Sequence, residues 1–266
     1  MFSLKNKNII ITGGAGFLSR NFIKGIYQFD GNPIILENDK KKIKILKNEI
    51  KSNFGKTPDC YLIDITNWKS VKNNSVKLLK KYKKIDGLIN NAARNPVYNK
   101  KFKNLNFENY NINEWNNDCK IGLTGSIICT QIYGSIIAKN KNGGSILNIS
   151  SDLGLISPDQ RLYKSKNNNT FEKPVSYSVI KSGLIGLTKF TSTYWANKNV
   201  RCNCICPGGV ENNHDKTFLR KISKLIPLAR LARKNEYNGL IVFLMSDASS
   251  YINGATISAD GGRTSW

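Results

Sequence analysis

A tyrosine and a lysine that stand four residues apart are the clearest indication of chemistry in this sequence. They enclose the segment Tyr177-Ser178-Val179-Ile180-Lys181, and on a helix residues four apart share one face. An ammonium beside a phenol stabilises the phenolate and lowers the phenol pKa, as general acid/base catalysis requires. Because such pairs are common by chance, the spacing alone leaves a purely structural role open.

A serine at a predicted strand end provides a third candidate for the same site. It lies in the run Asn148-Ile149-Ser150-Ser151-Asp152-Leu153-Gly154, where the hydroxyl of Ser151 is placed to hold a carbonyl oxygen. We therefore interpret Ser151, Tyr177 and Lys181 together as a catalytic group.

Glycines follow the first predicted strand, in Thr12-Gly13-Gly14-Ala15-Gly16-Phe17-Leu18-Ser19. Such a turn lets the backbone approach a pyrophosphate, whose charge then lies at the N-terminus of the next helix. Glu37 ends the second strand about 20 residues on, where an acid binds ribose hydroxyls and repels a 2′-phosphate. The sequence predicts a dinucleotide site that favours NAD over NADP. Pairing of Glu37 with Lys40 or Lys41 at the surface is the alternative.

Seven short apolar runs, separated by longer amphipathic stretches, provide the elements that would position these residues. Continuous apolar runs of this kind indicate parallel strands covered on both faces. The predicted fold is α/β, a single doubly wound Rossmann-type domain over residues 1–266, with a mostly parallel sheet and helices on both faces. The predicted strands are Asn8–Ile11, Pro33–Leu36, Cys60–Ile63, Gly87–Asn90, Ser145–Ile149, Val200–Ile205 and Ala255–Ser258.

The charge balance of this 266-residue chain is strongly basic, with 41 Lys and Arg against 18 Asp and Glu and a formal net charge of +23. Only 8 of these cations are arginines, whereas readers of bases and phosphates favour arginine. We interpret the lysines as solvated helix surface and expect no nucleic-acid partner. No apolar run approaches the ~20 residues that cross a bilayer, so we expect a cytoplasmic protein without membrane contact.

The six cysteines and the single histidine do not form a metal-binding pattern. Cys202, Cys204 and Cys206 alternate along a predicted strand, a geometry poorly suited to joint ligation or mutual disulfides. We expect buried, reduced thiols, no bound metal, and a solvent-facing His214.

Taken together, these motifs resemble the classical short-chain dehydrogenases/reductases over almost the whole chain. Further matching segments are Asp64-Ile65, Asn90-Asn91-Ala92-Ala93, Pro207-Gly208-Gly209-Val210 and Asp260-Gly261-Gly262. The resemblance implies that Tyr177 exchanges a proton with the substrate, that Lys181 holds the nicotinamide ribose, and that Ser151 binds the reacting oxygen. It also implies a homodimer or homotetramer. The cofactor contacts that it implies are Thr12, Gly13, Gly14, Gly16, Phe17, Leu18, Glu37, Asp64, Ile65, Asn91, Ala92, Tyr177, Lys181, Pro207, Gly208 and Val210.

Two departures from the family stand out. Gly122 occupies the position of a fourth catalytic residue, an asparagine that anchors a relay water, so a neighbour such as Asn117 substitutes, the relay uses backbone and water, or activity is weak. Ser151 and Tyr177 are 26 residues apart, roughly double the usual separation, because of an active-site loop inserted at about 155–175.

Arginines near the expected active-site mouth bear on the substrate. Arg94, Arg161 and Arg263 suit a carboxylate or phosphate, which favours an anionic, polyhydroxylated substrate, but salt bridges to Asp152, Asp159 or Glu211 are an equal alternative. Short strings in the loop and near the end resemble the branch associated with bacterial flagellin and surface-glycan modification. The leading hypothesis is an NAD(P)-dependent oxidoreductase acting on a secondary alcohol or ketone of such a substrate. Its rivals are a 3-oxoacyl-thioester (acyl carrier protein) reductase and a catalytically weak dinucleotide-binding regulatory or scaffold protein.

Overall fold

A central parallel sheet organises the part of the chain that the computed structural model describes, residues 1–94, 106–163 and 172–266. Its strand order is β3-β2-β1-β4-β5-β6-β7, and each neighbouring pair is parallel. The predicted fold class and all seven predicted strands are confirmed, with ends that differ by a few residues. The strands are β1 (Asn8–Thr12), β2 (Asn32–Glu37), β3 (Asp59–Leu62), β4 (Gly87–Asn90), β5 (Gly144–Ile149), β6 (Val200–Pro207) and β7 (Thr256–Ala259).

The strands are apolar along their length because both faces of the sheet are covered. In β1, Ile9 and Ile11 pack in one buried cluster and Ile10 in the other. The first cluster includes side chains of the helices Ser19–Gln28 and Asn238–Met245, and the second includes side chains of Trp68–Tyr82 and Gly125–Cys129. The main helices are α1 (Ser19–Gln28), α2 (Lys40–Phe54), α3 (Trp68–Tyr82), α4 (Ile112–Cys119), α5 (Gly125–Cys129), α6 (Ser135–Ile137), α7 (Val175–Tyr194), α8 (Lys216–Ser223) and α9 (Asn238–Met245).

The order of strands reverses at β1, which lies between β2 and β4. In doubly wound sheets a crevice forms at such a point, beside the carboxyl ends of the strands. The glycine turn follows β1 and the segment Asn91–Ala92 follows β4, so both predicted cofactor segments lie at this crevice. Ser151 follows β5, the next strand in the sheet.

The helical segment from Ile112 to Ile137 is interrupted by two π-helical turns. These turns, Lys120–Thr124 and Thr130–Gly134, keep right-handed backbone at their ends, so α4, α5 and α6 form one continuous helical rod. π-bulges of this kind are frequent at functional sites, and Gly122 lies in the first of them.

The predicted inserted loop contains little regular structure in its described part. A 3₁₀ turn covers Gln160–Leu162, and α7 begins at Val175 after Pro174. Residues 164–171 of the predicted loop lie outside the described residues.

The cysteines match the expectation only in part. Cys129, Cys202, Cys204 and Cys206 are buried free thiols, whereas Cys60 and Cys119 are free but half-buried. His214 is exposed and stacks on Phe218, as predicted for a solvent-facing residue. Within the described ranges, no helix combines the length and the apolar character needed to cross a membrane.

Candidate active site

The glycine turn packs too closely on its neighbours to carry side chains at two of its positions. Gly13 adopts φ +59°, a left-handed conformation that side chains disfavour, and a Cβ there would lie 2.9 Å from the Cα of Ala92. A Cβ on Gly14 would lie 2.5 Å from the side chain of Ile35. Glycine at these two positions therefore lets the turn pack closely against β2 and the segment after β4.

Hydrogen bonds between the ends of β1 and β4 fix this turn. The hydroxyl of Thr12 accepts from the backbone N–H groups of Asn91 and Ala92 at 3.0 and 3.1 Å. The amide of Asn91 donates to the Ser19 hydroxyl at 2.7 Å, and Ser19 donates to the carbonyl of Gly13, also at 2.7 Å. Some members of the family have a third glycine at the position of Ser19. Here the serine hydroxyl stabilises the turn through these two hydrogen bonds.

The turn leads into α1 without a side-chain cap. Leu18 precedes the helix in right-handed conformation and makes no capping hydrogen bond with its side chain. Phe17, whose side chain is partly exposed, lies beside Leu18 at this end. A helix N-terminus without a capping side chain favours an anion through its N–H groups and its dipole, so the turn and α1 fit a pyrophosphate.

Glu37 is buried at the crevice rather than paired at the surface. Its carboxylate accepts from the backbone N–H of Ala15 at 3.2 Å and from that of Asn38 at 3.0 Å. Pairing with Lys40 or Lys41 is therefore not the arrangement in the structure. The contact with Ala15 puts the negative charge directly against the glycine turn, Gly13 to Gly16.

The remaining predicted cofactor contacts follow other strands at the same edge of the sheet. Asp64 is exposed and accepts from Thr66, while the neighbouring Ile65 is buried. Pro207 ends β6, and Gly208 donates to the carbonyl of Ala259 at 3.0 Å. Val210 forms an isolated parallel bridge with Ala232.

The three predicted catalytic residues are brought together by β5 and α7. Ser151 is buried just after β5, and Tyr177 lies in the first turn of α7. Lys181 follows one turn later, donates to the carbonyl of Ile149 at 2.7 Å, and lies 5.6 Å from the centroid of the Tyr177 ring. The Ser151 hydroxyl lies close enough to the Tyr177 phenol to affect the pKa of that phenol. The 26-residue separation in sequence is thus closed in space.

Burial dominates the protonation of this group. It raises the pKa of Tyr177 to about 12, against the neighbouring Ser151 hydroxyl, which lowers it. Burial also lowers the pKa of Lys181 to about 8. With these pKa values the Tyr177 phenol is protonated at neutral pH. Its conversion to phenolate therefore depends on positive charge nearby.

A buried carboxylate that the sequence interpretation did not assign to the site holds the serine. Asp152 accepts from the Ser151 hydroxyl at 2.7 Å through Oδ1, and from the backbone of Leu153 at 2.8 Å. Its Oδ2 accepts from Arg263 at 2.6 Å, and both side chains of this ion pair are less than a tenth exposed. Adjacency to Ser151 was visible in the sequence, but the partner 111 residues away was not.

The arginines that were weighed as substrate ligands are all ion-paired. Arg161 donates to both carboxylate oxygens of Asp159 at 2.9 Å, and Arg263 binds Asp152. These are two of the partners that the salt-bridge alternative named. Arg94 binds Glu114 at 2.8 Å and Asp118 at 3.1 Å, so its guanidinium lies between the segment after β4 and helix α4.

Gly122 lies against α7 and leaves no space for an asparagine. A Cβ at this position would lie 2.7 Å from Cγ2 of Ile180, the residue that precedes Lys181. Ile180 is buried and occupies the volume where a larger side chain of residue 122 would begin. Asn117 is exposed, so it does not substitute. Asp118, one turn before Gly122, is the buried polar residue of α4, and it accepts from Tyr110 and Ser176 at 2.7 Å each.

Lys173 is a second cation at the site that the sequence interpretation missed. Its Nζ lies 3.9 Å from the centroid of the Tyr177 ring. It stands four residues before the tyrosine, but Pro174 separates it from α7, so helical spacing gave no reason to pair the two. No local pattern in the sequence signals this contact.

Comparison with known proteins identifies the family. The family model described as enoyl-(acyl carrier protein) reductase matches residues 31–264. The chain belongs to the classical short-chain dehydrogenase/reductase family of oxidoreductases.

Individual relatives cover nearly the full length. Post-translational flagellin modification protein A of Campylobacter coli is 29% identical over 259 residues, 97% of this chain and 98% of that protein. A 3-oxoacyl-[acyl-carrier-protein] reductase of Thermotoga maritima is 28% identical over 264 residues, 97% of this chain and 98% of that protein. A short-chain dehydrogenase structure from Leptospira borgpetersenii with bound NAD⁺ is 27% identical, with a TM-score of 0.84 over 98% of this chain and 94% of that one.

The buried ion pair beside Ser151 yields a stability prediction. Arg263→Met lowers the free energy of unfolding by ~3–5 kcal/mol, because it leaves the Asp152 carboxylate buried without its partner. Urea denaturation at pH 7 measures the effect, and Arg263→Met combined with Asp152→Leu recovers most of it. Lys7→Met, which removes an ion pair to the exposed Asp247, is the matched control and costs at most about 1 kcal/mol. An equal, small loss for Arg263→Met and Lys7→Met contradicts the prediction.

The contact between Gly122 and Ile180 predicts a coupling between two positions. Gly122→Asn destabilises the protein by ~1–3 kcal/mol, since the added side chain overlaps Ile180. The same substitution costs less in an Ile180→Ala background, by an interaction energy of ~0.5–3 kcal/mol. Thermal unfolding of the four proteins gives the cycle. Gly239→Asn, at a helical glycine with open space around it, is the control; strict additivity of the Gly122 and Ile180 changes would count against steric coupling.

Proposed function

We propose that this protein is an NAD(P)-dependent oxidoreductase that transfers hydride at a secondary alcohol or ketone. The observation that carries the proposal is the meeting of Ser151, Tyr177 and Lys181 at the carboxyl end of β5, in the same sheet edge as the glycine turn after β1. Membership of the short-chain dehydrogenase/reductase family supports it. A set of residues of this kind suits the oxidation of CH–OH groups and the reduction of the corresponding ketones.

NAD is the cofactor that we propose, with NADP less favoured. A bound nicotinamide dinucleotide supplies the hydride acceptor or donor. The Glu37 carboxylate, held against the glycine turn by Ala15, would accept from the ribose hydroxyls and repel a 2′-phosphate. The bound NAD⁺ in the Leptospira borgpetersenii relative agrees with this choice. The residues that would hold the cofactor are those of the turn and α1 (Thr12, Gly13, Gly14, Gly16, Phe17, Leu18), Glu37, Asp64, Ile65, Asn91, Ala92, Tyr177, Lys181, Pro207, Gly208 and Val210.

The catalytic residues divide the proton chemistry between them. Tyr177 Oη gives its proton to the substrate oxygen in reduction and takes it back in oxidation. Ser151 would donate its hydroxyl proton to the same oxygen instead of to Asp152, its acceptor in this structure, and Lys181 stabilises the phenolate through its charge. Because reduction uses the phenol and oxidation the phenolate, the rate of oxidation rises with pH and that of reduction falls.

For the substrate we propose an anionic or polyhydroxylated, sugar-like compound used in surface-glycan biosynthesis. The flagellin modification relative is compatible with such a role. A cavity of about 290 Å³ beside the start of α7 combines polar lining, such as Gln160, Glu172 and Lys173, with apolar lining, such as Phe107 and Val175, and so offers both kinds of contact to a substrate. The substrate contacts first considered, Arg94 and Arg161, remain proposals, and their existing ion pairs require that a substrate share or displace a carboxylate.

The second candidate is reduction of an acyl thioester. The description of the matching family model and the Thermotoga maritima relative favour it. Glu37 disfavours it if the reductant is NADPH. The third candidate, a dinucleotide-binding regulatory or scaffold protein with weak turnover, is favoured by Gly122, because the position of the relay asparagine is blocked by Ile180.

A hydride-transfer assay separates these functions. We expect oxidation of sugar-derived alcohols, or reduction of the corresponding ketones, with a lower KM for NAD(H) than for NADP(H), and the absorbance of the reduced nicotinamide reports the rate. Tyr177→Phe abolishes turnover but retains NAD binding, because it removes one hydroxyl and leaves the other proposed cofactor contacts in place, whereas Ser182→Ala, on the same helix but at an exposed position, keeps both.

The alternatives give different results in the same assay. Turnover of 3-oxoacyl thioesters alone supports the second candidate. Binding of NAD without turnover on either class of substrate supports the third. Activity that survives in Tyr177→Phe overturns the mechanism.

We also propose a cytoplasmic homodimer or homotetramer, with small molecules rather than nucleic acid or membrane as partners. One face of α7 presents apolar side chains to solvent, with Phe190 and Tyr194 each more than 60% exposed and stacked on one another. Val179, nearer the N-terminus of the same helix, is also exposed. Exposed apolar patches of this kind mark association surfaces.

The α7 face predicts the state of assembly. Light scattering after size exclusion gives two or four times the 29.8 kDa of the chain, and Phe190→Glu shifts the mass toward one chain by placing a charge in the contact. Lys189→Glu, its exposed neighbour outside the apolar stack, leaves the mass unchanged. A monomeric native protein would exclude this surface as an oligomer contact.

A further inference from the structure

We propose that Lys173 is a positioning residue for the proposed reaction: its ammonium, held over the ring of Tyr177, stabilises the phenolate together with Lys181. The catalytic role of Lys173 rests on the proposed function. Its contact with the ring of Tyr177 does not depend on any substrate.

The contact between Lys173 and Tyr177 is closer than the one between Lys181 and Tyr177. Lys173 Nζ lies 3.9 Å from the ring centroid, against 5.6 Å for Lys181 Nζ. A cation over the face of an aromatic ring is attracted by the ring quadrupole, and a formal negative charge on the phenolate strengthens that attraction. Two cations therefore act on one phenol.

The inserted loop holds Lys173 in this position. The side-chain amide of Gln160 makes two hydrogen bonds to the backbone of Lys173: Oε1 accepts from its N–H at 2.8 Å, and Nε2 donates to its carbonyl at 3.1 Å. Pro174 follows immediately and begins the chain's entry into α7. Because both backbone groups of Lys173 are bound to one side chain, the direction of the lysine toward Tyr177 is set by the loop.

The charged groups around Lys173 leave it cationic at neutral pH. Burial and the neighbouring Lys181 lower its pKa to about 8, while the carboxylates of Asp152 and Asp118 oppose that shift. The charge of Asp152, which itself raises the pKa of Tyr177, is largely satisfied by Arg263. The groups that face the pair from adjacent elements are thus Lys181 of α7, Asp118 of α4, Asp152 and Arg263, with Tyr163 of the loop close enough to interact with Tyr177.

The test measures the phenol directly and needs no turnover. All 11 tyrosines are replaced by 3,5-difluorotyrosine, a more acidic phenol, in the full-length protein, and ¹⁹F NMR follows each one against pH. The resonance of residue 177 is assigned by its absence in Tyr177→Phe. In Lys173→Met we expect the pKa of this phenol to rise by about one unit, since a positive charge within ~4–6 Å is removed.

Two further variants separate charge from packing. Lys173→Arg keeps the charge and restores the native titration, and Lys189→Met, which removes an exposed lysine of α7, the helix that carries Tyr177, leaves the titration unchanged. An unchanged phenol pKa in Lys173→Met overturns the inference, as does an equal rise in Lys189→Met. Circular dichroism of each variant confirms that the fold is retained.

The pH profile of turnover links the measurement to the proposed function. In Lys173→Met the pH at which oxidation reaches half its maximal rate moves upward with the NMR pKa, and Lys173→Arg reverses the shift. If the NMR shift is present but the native protein has no hydride-transfer activity, the inference about Tyr177 stands and the proposed function fails. If the protein is active and neither pKa nor profile moves, the function stands and the inference fails.

Discussion

The buried carboxylate of Asp152 is the interaction on which the geometry of the candidate site depends. Through one oxygen it orients the hydroxyl of Ser151, and through the other it binds Arg263 near the C-terminus. A carboxylate removed from water is costly unless it is paired and hydrogen-bonded, and here both conditions are met. The end of β5, Ser151 and the segment around Arg263 are therefore fixed as one unit. The same pairing limits how strongly this negative charge opposes ionisation of Tyr177.

Around that carboxylate, the site is assembled from strand ends and one helix. Parallel strands bring the glycine turn and Asn91 to the crevice beside β1, and α7 carries Tyr177 and Lys181 across the end of β5. The arrangement needs positive charge, because burial alone keeps the phenol protonated. Lys181 provides that charge from α7, and Lys173 provides it from the end of the inserted loop.

The sequence was sufficient for the features that depend on local pattern. Apolar runs located all seven strands, the glycines located the turn, and the four-residue spacing placed Tyr177 and Lys181 on one helical face. The sequence could not predict contacts between residues that lie far apart in the chain. Nothing local distinguishes Arg263 as the partner of Asp152, or Lys173 as a neighbour of the Tyr177 ring, because each contact exists only after the chain has folded. The substrate remained open for the same reason, since arginines at the expected mouth proved to be bound to carboxylates of this chain.

The close packing of Gly122 on Ile180 has an evolutionary consequence. A side chain at residue 122 would overlap Cγ2 of Ile180, so an asparagine there is accommodated at a lower cost when residue 180 is smaller. A polar side chain at residue 122 is therefore accepted more readily after residue 180 has become smaller than before that change. The order of the two substitutions, and not only their identity, thus affects the stability of the protein that carries just one of them.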